Sequence, residues 1–258
     1  MPTKVLVLHG YAQNGTIFSK RIGALRKECG KNVEFVFAEA PHILKPVDFV
    51  WNQEKAEDAG VQAEPAPANN TEQDPTLTPR AWWKPNPERT RAVGIQEGIF
   101  VIEGGCLRIQ GAAFAAVLSA LLEKPHTHPE FLVDGEPVAS SLFCLAVAGF
   151  KLLDSWCDSL WEGGYDTPTV HVIGQTDVVV AETRTRSLGE VANNIRLEEH
   201  PGGHFVPSKG PWRKFLAAYL KDPAGQHTSP GSADAGTSPS ISAVNSVAGS
   251  RSETPTVP

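Results

Sequence analysis

The sequence lacks long apolar runs and basic clusters, and each absence removes a class of function. No stretch approaches the 18 consecutive apolar residues that a membrane-spanning helix needs. Lysine and arginine form no block, and the formal net charge is −6, so nucleic acid is not expected as the main partner. With 41% hydrophobic and 20% charged residues, the composition is typical of an ordinary soluble enzyme.

Paired cysteines and metal-ligand clusters are missing as well. Cys29, Cys106, Cys144 and Cys157 show no CxxC spacing. The N-terminal residues run straight into a strand-like segment, without the parts of a secretory signal, so we expect reduced thiols and a cytoplasmic location, with the nucleus as an alternative. His126 and His128 lie close together, but Pro125 and Pro129 beside them indicate a surface loop and not a metal site. We therefore expect neither a disulfide framework nor a metal centre.

Large apolar side chains are scarce in two segments. Lys55–Arg80 contains only Val61 and Leu77 of this type. From Asp222 to Pro258, 26 of 37 residues are Ser, Thr, Pro, Gly or Ala, and such a segment cannot bury enough apolar surface to offset its chain entropy. The predicted organisation is one domain over residues 1–221 with a disordered insert at about 55–80, followed by a disordered low-complexity tail over 222–258.

The remaining sequence alternates between strand and helix patterns. Apolar runs predict buried strands at Lys4–Leu8, Ser141–Val147 and Thr169–Ile173, and further strands are predicted at Val33–Phe37 and Ile195–Glu199. Helical spacing predicts one helix through Phe18–Cys29, capped by Thr16 and stopped by Gly30, and further helices at Gln110–Glu123, Val180–Val191 and Trp212–Leu220. This alternation predicts a single doubly wound α/β domain with a mostly parallel sheet, in which chemistry gathers beyond the carboxyl ends of the strands.

Three of these strand ends carry residues with catalytic potential. The first strand ends at a turn that begins His9-Gly10-Tyr11, whose backbone N–H groups could bind a developing oxyanion. Asp177 follows the strand that ends at Ile173, and His204 follows two glycines after the last strand. Taken singly, these residues also fit a plain strand-to-helix turn, a helix cap and a surface histidine. Together, an Asp followed 27 positions later by a His matches the order of the last two members of a Ser…Asp…His triad.

At this point the chain resembles the FSH-type family of serine hydrolases, which has the α/β-hydrolase fold. The segments that carry the resemblance span roughly residues 4 to 220; they are Val7–Gly15, Ala81–Trp83, Gln110–Ala113, Gly174–Asp177 and Gly202–Pro207. The resemblance implies hydrolysis of carboxylic esters or thioesters through an acyl-enzyme, with a small-molecule substrate and no cofactor. It implies Asp177 as the triad acid, His204 as the base, and the backbone N–H groups of Tyr11 and Gln110 as the oxyanion hole.

The family's nucleophile is missing from this sequence. Where the family has a Gly-Phe-Ser-Gln-Gly elbow, this chain reads Leu107-Arg108-Ile109-Gln110-Gly111, so Ile109 takes the place of the serine. Isoleucine cannot attack a carbonyl, and its β-branched side chain suits a strained elbow badly. The ten residues Phe100–Ile109 are also about ten fewer than the rest of a helix, a strand and a connection require.

The sequence leaves the origin of this departure open. An altered exon junction and a true pseudoenzyme that binds an acyl or ester ligand both fit an abrupt local mismatch between intact motifs. Cys106, after a strand at Ile99–Ile102, is a weaker candidate for a replacement nucleophile; a reduced, buried thiol is the alternative. Ser119 lies about 15 Å along the predicted helix from its start, too far to serve.

Overall fold

The computed structural model describes residues 2–45, 48, 78–88, 90–100, 110–132 and 143–231. Its strands are β1 (Thr3–Leu8), β2 (Val33–Ala38), β3 (His42–Ile43), β4 (Arg80–Ala81), β5 (Lys84–Pro85), β6 (Ala92–Val93), β7 (Cys144–Val147), β8 (Thr169–Gly174) and β9 (Ile195–His200). Its α-helices are α1 (Gly15–Arg21), α2 (Gly23–Cys29), α3 (Ile95–Phe100), α4 (Gln110–Glu123), α5 (Asp158–Trp161), α6 (Glu182–Arg186) and α7 (Gly210–Lys221).

Parallel pairing dominates the longer strands. β1 pairs with β2, with Val5 opposite Phe35, and β7, β8 and β9 form a three-stranded parallel sheet in that order. The short pairs β3–β4 and β5–β6 are antiparallel. The predicted parallel α/β architecture is confirmed, and it places the loops after β1, β8 and β9 at carboxyl ends of parallel strands.

Helices cover both faces of the parallel strands. In β1, Leu6 and Leu8 belong to one apolar cluster, and Val5 and Val7 belong to another. This alternation follows from the two-residue period of a strand whose two faces are both buried. Helix α4 lies in the first cluster and contacts both β1 and β7, so one helix joins the two groups of parallel strands.

Two predicted helices differ from the observed ones. The helix is interrupted at Ile22, which lies between α1 and α2. The region predicted as one helix therefore forms two. Asn14, rather than Thr16, is the N-cap, because its Oδ1 accepts a hydrogen bond of 2.8 Å from the N–H of Ile17. The helix predicted at 180–191 is α6 followed by a 3₁₀ turn at Ser187–Glu190.

The cap at Asn14 gives a first test of the local structure. Asn14→Ala removes the acceptor for Ile17 and also the donor to the carbonyl oxygen of Thr78, at 3.1 Å. We expect the free energy of unfolding to fall by about 1–2 kcal/mol, as for other N-cap losses, in urea titrations followed by tryptophan fluorescence. Asn14→Ser keeps a side-chain acceptor for the cap and adds no charge to this buried position, so it should lose less; equal losses in the two variants would contradict a capping role.

The predicted disordered segments fall mostly outside the description. Residues 55–77 of the insert and 232–258 of the tail lie outside the described residues. Residues 222–231, which we assigned to the tail, are described, and Ser229 Oγ donates to Glu198 Oε1 at 2.7 Å and accepts from Arg196 at 3.2 Å. The chain after α7 therefore contacts the edge strand β9.

The remaining sequence expectations concern thiols and membrane spans. Cys29, Cys144 and Cys157 are buried free thiols, as predicted, whereas Cys106 lies outside the described residues. Burial raises the pKa of Cys29 to about 11 and raises that of Cys157 further. Among the helices of the described ranges, none is long and apolar enough to cross a membrane.

Candidate active site

Asp177 and His204 meet at the carboxyl ends of β8 and β9. Asp177 Oδ2 lies 2.7 Å from His204 Nδ1, and the other carboxylate oxygen accepts hydrogen bonds of 2.9 Å from the N–H groups of Val179 and Val180. The Asp177 side chain is 3% exposed, whereas that of His204 is 17% exposed. The carboxylate is therefore buried and held by backbone N–H groups, while part of the imidazole is exposed to solvent.

The two loops that carry this pair are hydrogen-bonded to each other. The N–H of Gln175 donates to the carbonyl of His200 at 2.9 Å, and that of Thr176 donates to the carbonyl of Gly202 at 3.1 Å. Gly174 sits so close to this second loop that a Cβ there would lie 2.6 Å from the oxygen of Gly202. Only a glycine lets the end of β8 approach the histidine loop this closely.

The environment of Asp177 favours its ionised form. Burial raises the pKa of this carboxyl, but the hydrogen bond from His204, together with the N–H groups of Val180 and Val179, outweighs burial and holds the pKa below its usual range. An ionised Asp177 accepts the Nδ1 proton of a neutral His204, which leaves a lone pair on Nε2. Within the described part of the chain, Nε2 makes no hydrogen bond. An imidazole held in this way can act chemically as a general base.

The turn after β1 is built around a buried histidine. His9 is fully buried; its Nε2 accepts from the N–H of Ala40 at 3.0 Å, so its Nδ1 donates to the carbonyl of Gly10 at 2.9 Å. Burial lowers the pKa of His9 to about 4, and the Arg80 guanidinium also lowers it, while the bond to Gly10 acts in the opposite direction. His9 is thus a neutral side chain that supports, through two hydrogen bonds, the turn containing Tyr11.

Further contacts fix the backbone of this turn. The N–H of Gln13 donates to the carbonyl of Gly10 at 3.2 Å, and Ala12 adopts a φ of +58°, a conformation that ordinarily favours glycine. Trp82 Nε1 donates to the carbonyl of His9 at 2.8 Å. The N–H of Arg80 donates to Gln13 at 2.9 Å. The residues after the insert therefore hold the predicted oxyanion turn in place.

The N-terminus of α4 approaches the same strand end. A Cβ at Gly111 would lie 2.5 Å from the carbonyl oxygen of Leu8, the last residue of β1. Gln110 is the first residue of this helix, and N–H groups of a first helical turn lack partners within the helix. The backbone of Gln110 is thus positioned beside the strand end that leads into the Tyr11 turn.

The described contacts join one pair of the predicted site residues directly, Asp177 and His204. Tyr11 and Gln110 are related through the close approach of Gly111 to Leu8, at neighbouring ends of α4 and β1. Ile109 and Cys106 lie outside the described residues. Of the strand predicted before Cys106, Ile99 belongs instead to helix α3.

The residues that we rejected as site members lie elsewhere. Ser119 is 1% exposed inside α4, which agrees with its rejection as a nucleophile. The ring of His128 stacks on that of Trp156 with a centroid separation of 3.9 Å, and His128 Nδ1 lies 3.5 Å from a Glu130 carboxylate oxygen. Within the described ranges, no group of three or more potential ligands is placed to hold a metal ion.

Sequence reasoning missed the residues that support the site from beneath. His9 was noticed only as part of a motif, although it connects Gly10 to Ala40. Trp82 enters the sequence analysis only as part of the segment Ala81–Trp83, without a partner. These roles depend on contacts between residues more than 30 positions apart, for which a single sequence carries no local signal.

Comparison with known proteins assigns the chain to a family. It matches the serine hydrolase (FSH1) family over residues 1–106 and 109–216. It is 30% identical over 241 residues to "Esterase OVCA2" of Danio rerio, covering 86% of this chain and 97% of that one. It is 31% identical over 229 residues to "Family of serine hydrolases 3" of Saccharomyces cerevisiae, covering 84% and 83%.

Solved structures agree on the fold. The crystal structure of Arabidopsis thaliana SOBER1 superposes with a TM-score of 0.52 at 17% identity, covering 86% of this chain and 98% of that one. The crystal structure of esterase PE8 gives 0.51 at the same identity and covers 96% of its own chain. The fold is that of α/β hydrolases, and the chain belongs to the serine hydrolase (FSH1) family.

Proposed function

We propose that this chain binds and hydrolyses carboxylic esters or thioesters at the carboxyl ends of β1, β8 and β9, and that Asp177 and His204 are its acid–base pair. The observation that carries the proposal is the 2.7 Å contact between Asp177 Oδ2 and His204 Nδ1. The esterase relatives support the ligand class. The ester carbonyl oxygen would accept from the backbone N–H groups of Tyr11 and Gln110, which stabilise the negative charge of a tetrahedral intermediate.

Exposed apolar side chains follow each member of the pair in the sequence. Val178 and Val179 follow Asp177 directly and are 72% and 61% exposed, and Phe205 follows His204 and is 49% exposed. Large apolar residues exposed together beside a polar centre are typical of a ligand-binding surface. They favour an ester with an apolar acyl or alkyl part.

We further propose that this polypeptide forms no acyl-enzyme at the position used by its family. Ile109 stands where the family has serine, and a hydrocarbon side chain provides neither a lone pair nor a proton for His204. A pseudoenzyme that binds an acyl or ester ligand is the second candidate function, and Ile109 is the residue that favours it.

Covalent labelling tests the nucleophile. A fluorophosphonate probe, incubated with the purified full chain, should label no serine, while the Danio rerio esterase serves as the labelled comparison. Labelling of any serine in this chain would contradict the proposal. Ester turnover that iodoacetamide and Cys106→Ala both abolish would instead establish a cysteine nucleophile.

Ligand binding is measured separately from turnover. A ketone isostere of p-nitrophenyl butyrate should perturb the imidazole NMR signals of His204, because its carbonyl would occupy the same position as that of the ester. The signals of the exposed His126 should stay unchanged in the same titration. If the His204 signals do not move, the chain has no ester site at the carboxyl ends of β1, β8 and β9, and the proposed function is wrong.

A further inference from the structure

We propose that this chain hydrolyses activated esters by direct attack of water on the carbonyl, with His204 as general base and no covalent intermediate. The inference rests on the proposed function, since the ester must first bind beside His204. It goes beyond the family's chemistry, in which the imidazole deprotonates a serine. The acyl group passes directly to water and never joins the protein.

The described residues include the proton acceptor that this route needs, the imidazole of His204 held by Asp177. Asp177 is fixed by Val179, Val180 and His204, so the imidazole is locked with its Nδ1 proton towards the carboxylate. Its Nε2 makes no hydrogen bond within the described chain, and the side chain is 17% exposed. A lone pair on an accessible, oriented imidazole can accept a proton from water.

The loss of the serine does not remove the other parts of the machinery. In serine hydrolases the oxyanion donors and the binding surface still accelerate hydrolysis when triad members are removed. Here the supports of the turn at Tyr11, including His9 and Trp82, are all in place. The described residues therefore supply the base and the turn proposed to hold the carbonyl oxygen, and in our proposal water replaces the serine that the base would normally activate.

The proposed step balances as follows. The oxygen of water forms a bond to the carbonyl carbon, one water proton moves to His204 Nε2, and the π electrons move to the carbonyl oxygen. The intermediate then collapses: its carbon–oxygen bond to the leaving group breaks, and the Nε2 proton neutralises the departing alkoxide or phenoxide. Ester and water give acid and alcohol, and His204 returns to its starting state.

The expected substrates are esters with good leaving groups. Without an acyl-enzyme, water must attack the ester directly. The activation barrier of this step therefore stays high for alkyl esters, which have poor leaving groups. A p-nitrophenoxide leaves readily, and the exposed Val178, Val179 and Phe205 offer contacts to an acyl chain. We therefore expect slow turnover of p-nitrophenyl butyrate and much slower turnover of ethyl butyrate.

The test compares the full wild-type chain with His204→Ala, His204→Gln and a control. General-base catalysis contributes about 10²- to 10⁴-fold, so kcat/KM for p-nitrophenyl butyrate should fall about 100-fold in both His204 variants. His126→Gln, at an exposed histidine outside the site, should match the wild type. Unfolding curves establish that each variant is folded, and added imidazole should restore part of the rate of His204→Ala.

Two further measurements separate this route from covalent ones. Nitrophenol release should be linear from the first turnover, and hydroxylamine should trap no acyl group on the protein. An initial burst or a trapped acyl group would overturn the water route in favour of a serine, cysteine or histidine nucleophile. Equal rates in the wild type and both His204 variants would overturn it too, while binding of the ketone isostere would leave the proposed ester site standing.

Discussion

Replacing Gly174 with alanine is expected to lower the free energy of unfolding by about 3 kcal/mol and to break the hydrogen bond between Asp177 and His204. The added methyl group would overlap the carbonyl oxygens of Gly203 and Gly202. These are backbone atoms, which cannot rotate away as the end of a flexible side chain can. The cost therefore falls at the upper end of the range for overpacked sites.

The same contact explains why the site should suffer more than the rest of the fold. Gly174 ends β8, and the loop from Gly202 leads directly to His204. Relief of the overlap requires this loop to move away from Thr176, whose N–H donates to Gly202 at 3.1 Å. A shift of this kind lengthens the 2.7 Å contact between the imidazole and the carboxylate.

Two measurements check this expectation. Urea titration gives the free energy of unfolding, and the proton on His204 Nδ1 should give a low-field NMR signal that Gly174→Ala abolishes. Gly23→Ala is the matched control, because a Cβ at Gly23 meets no atom within 4 Å, and it should change stability by less than about 0.5 kcal/mol. A Gly174→Ala variant with wild-type stability and an intact low-field signal would show that the loop adapts freely.

Much of the parallel architecture could be predicted from the sequence, because strands and helices leave a pattern of apolar residues within a few neighbouring positions. The predicted strand Val33–Phe37 is β2 with one further residue, and Ile195–Glu199 is β9 with one further residue. Helix α4 begins and ends at the predicted residues, Gln110 and Glu123. The run of small and apolar residues from Gly111 to Leu121 matches a helix buried between layers. β2 and β9 are only partly buried, with Val36 46% exposed and Leu197 43% exposed.

The errors arose where short-range alternatives have similar energies. Thr16 and Asn14 are both good caps, and the choice of Asn14 depends on its second bond, to Thr78, 64 positions away. The break at Ile22 falls next to Gly23, which has a low helix propensity, although the apolar spacing continues across it. Spacing alone predicts a continuous face and does not predict where the backbone hydrogen bonds are interrupted.

The candidate site residues at the strand ends could be predicted from the sequence. The buried residues that support them could not. Asp177 and His204 stand out because each follows a clear strand in the order expected of a triad. The roles of His9 and Trp82 became visible only through contacts to Ala40 and to each other. A buried histidine that hydrogen-bonds to backbone groups has the same sequence signature as a catalytic one.

Acidification is expected to destabilise this protein through two buried histidines. Burial lowers the pKa of both His9 and His171 to about 4. The carbonyl of Gly149 raises the pKa of His171 and the Arg186 guanidinium lowers it, but neither ring nitrogen makes a hydrogen bond of good geometry within the described residues. Each histidine resists a proton in the folded state that it accepts near pH 6.5 when the chain is unfolded.

The direction of the effect follows from proton binding. Between pH 6.5 and 4 the unfolded chain binds more protons than the folded chain, so the free energy of unfolding decreases as the pH falls. Each histidine contributes about 3 kcal/mol by pH 4, and together they approach the whole stability of an ordinary domain. Carboxylates such as Asp177 contribute only near and below their ordinary range around pH 4, so pH 6.5 to 5 isolates the histidines.

His171→Leu provides the decisive variant. A leucine fits the buried centre of β8, has no nitrogen to leave without a partner, and binds no proton, so it should flatten the pH dependence of unfolding by about half between pH 6.5 and 5. It should also raise stability at pH 7, since an unpaired buried polar group costs about 1–3 kcal/mol. Urea titrations at half-unit pH intervals measure both effects, with His126→Gln as the exposed control. A His171→Leu variant with the wild-type pH slope would mean that His171 is protonated as easily in the folded chain as in the unfolded one.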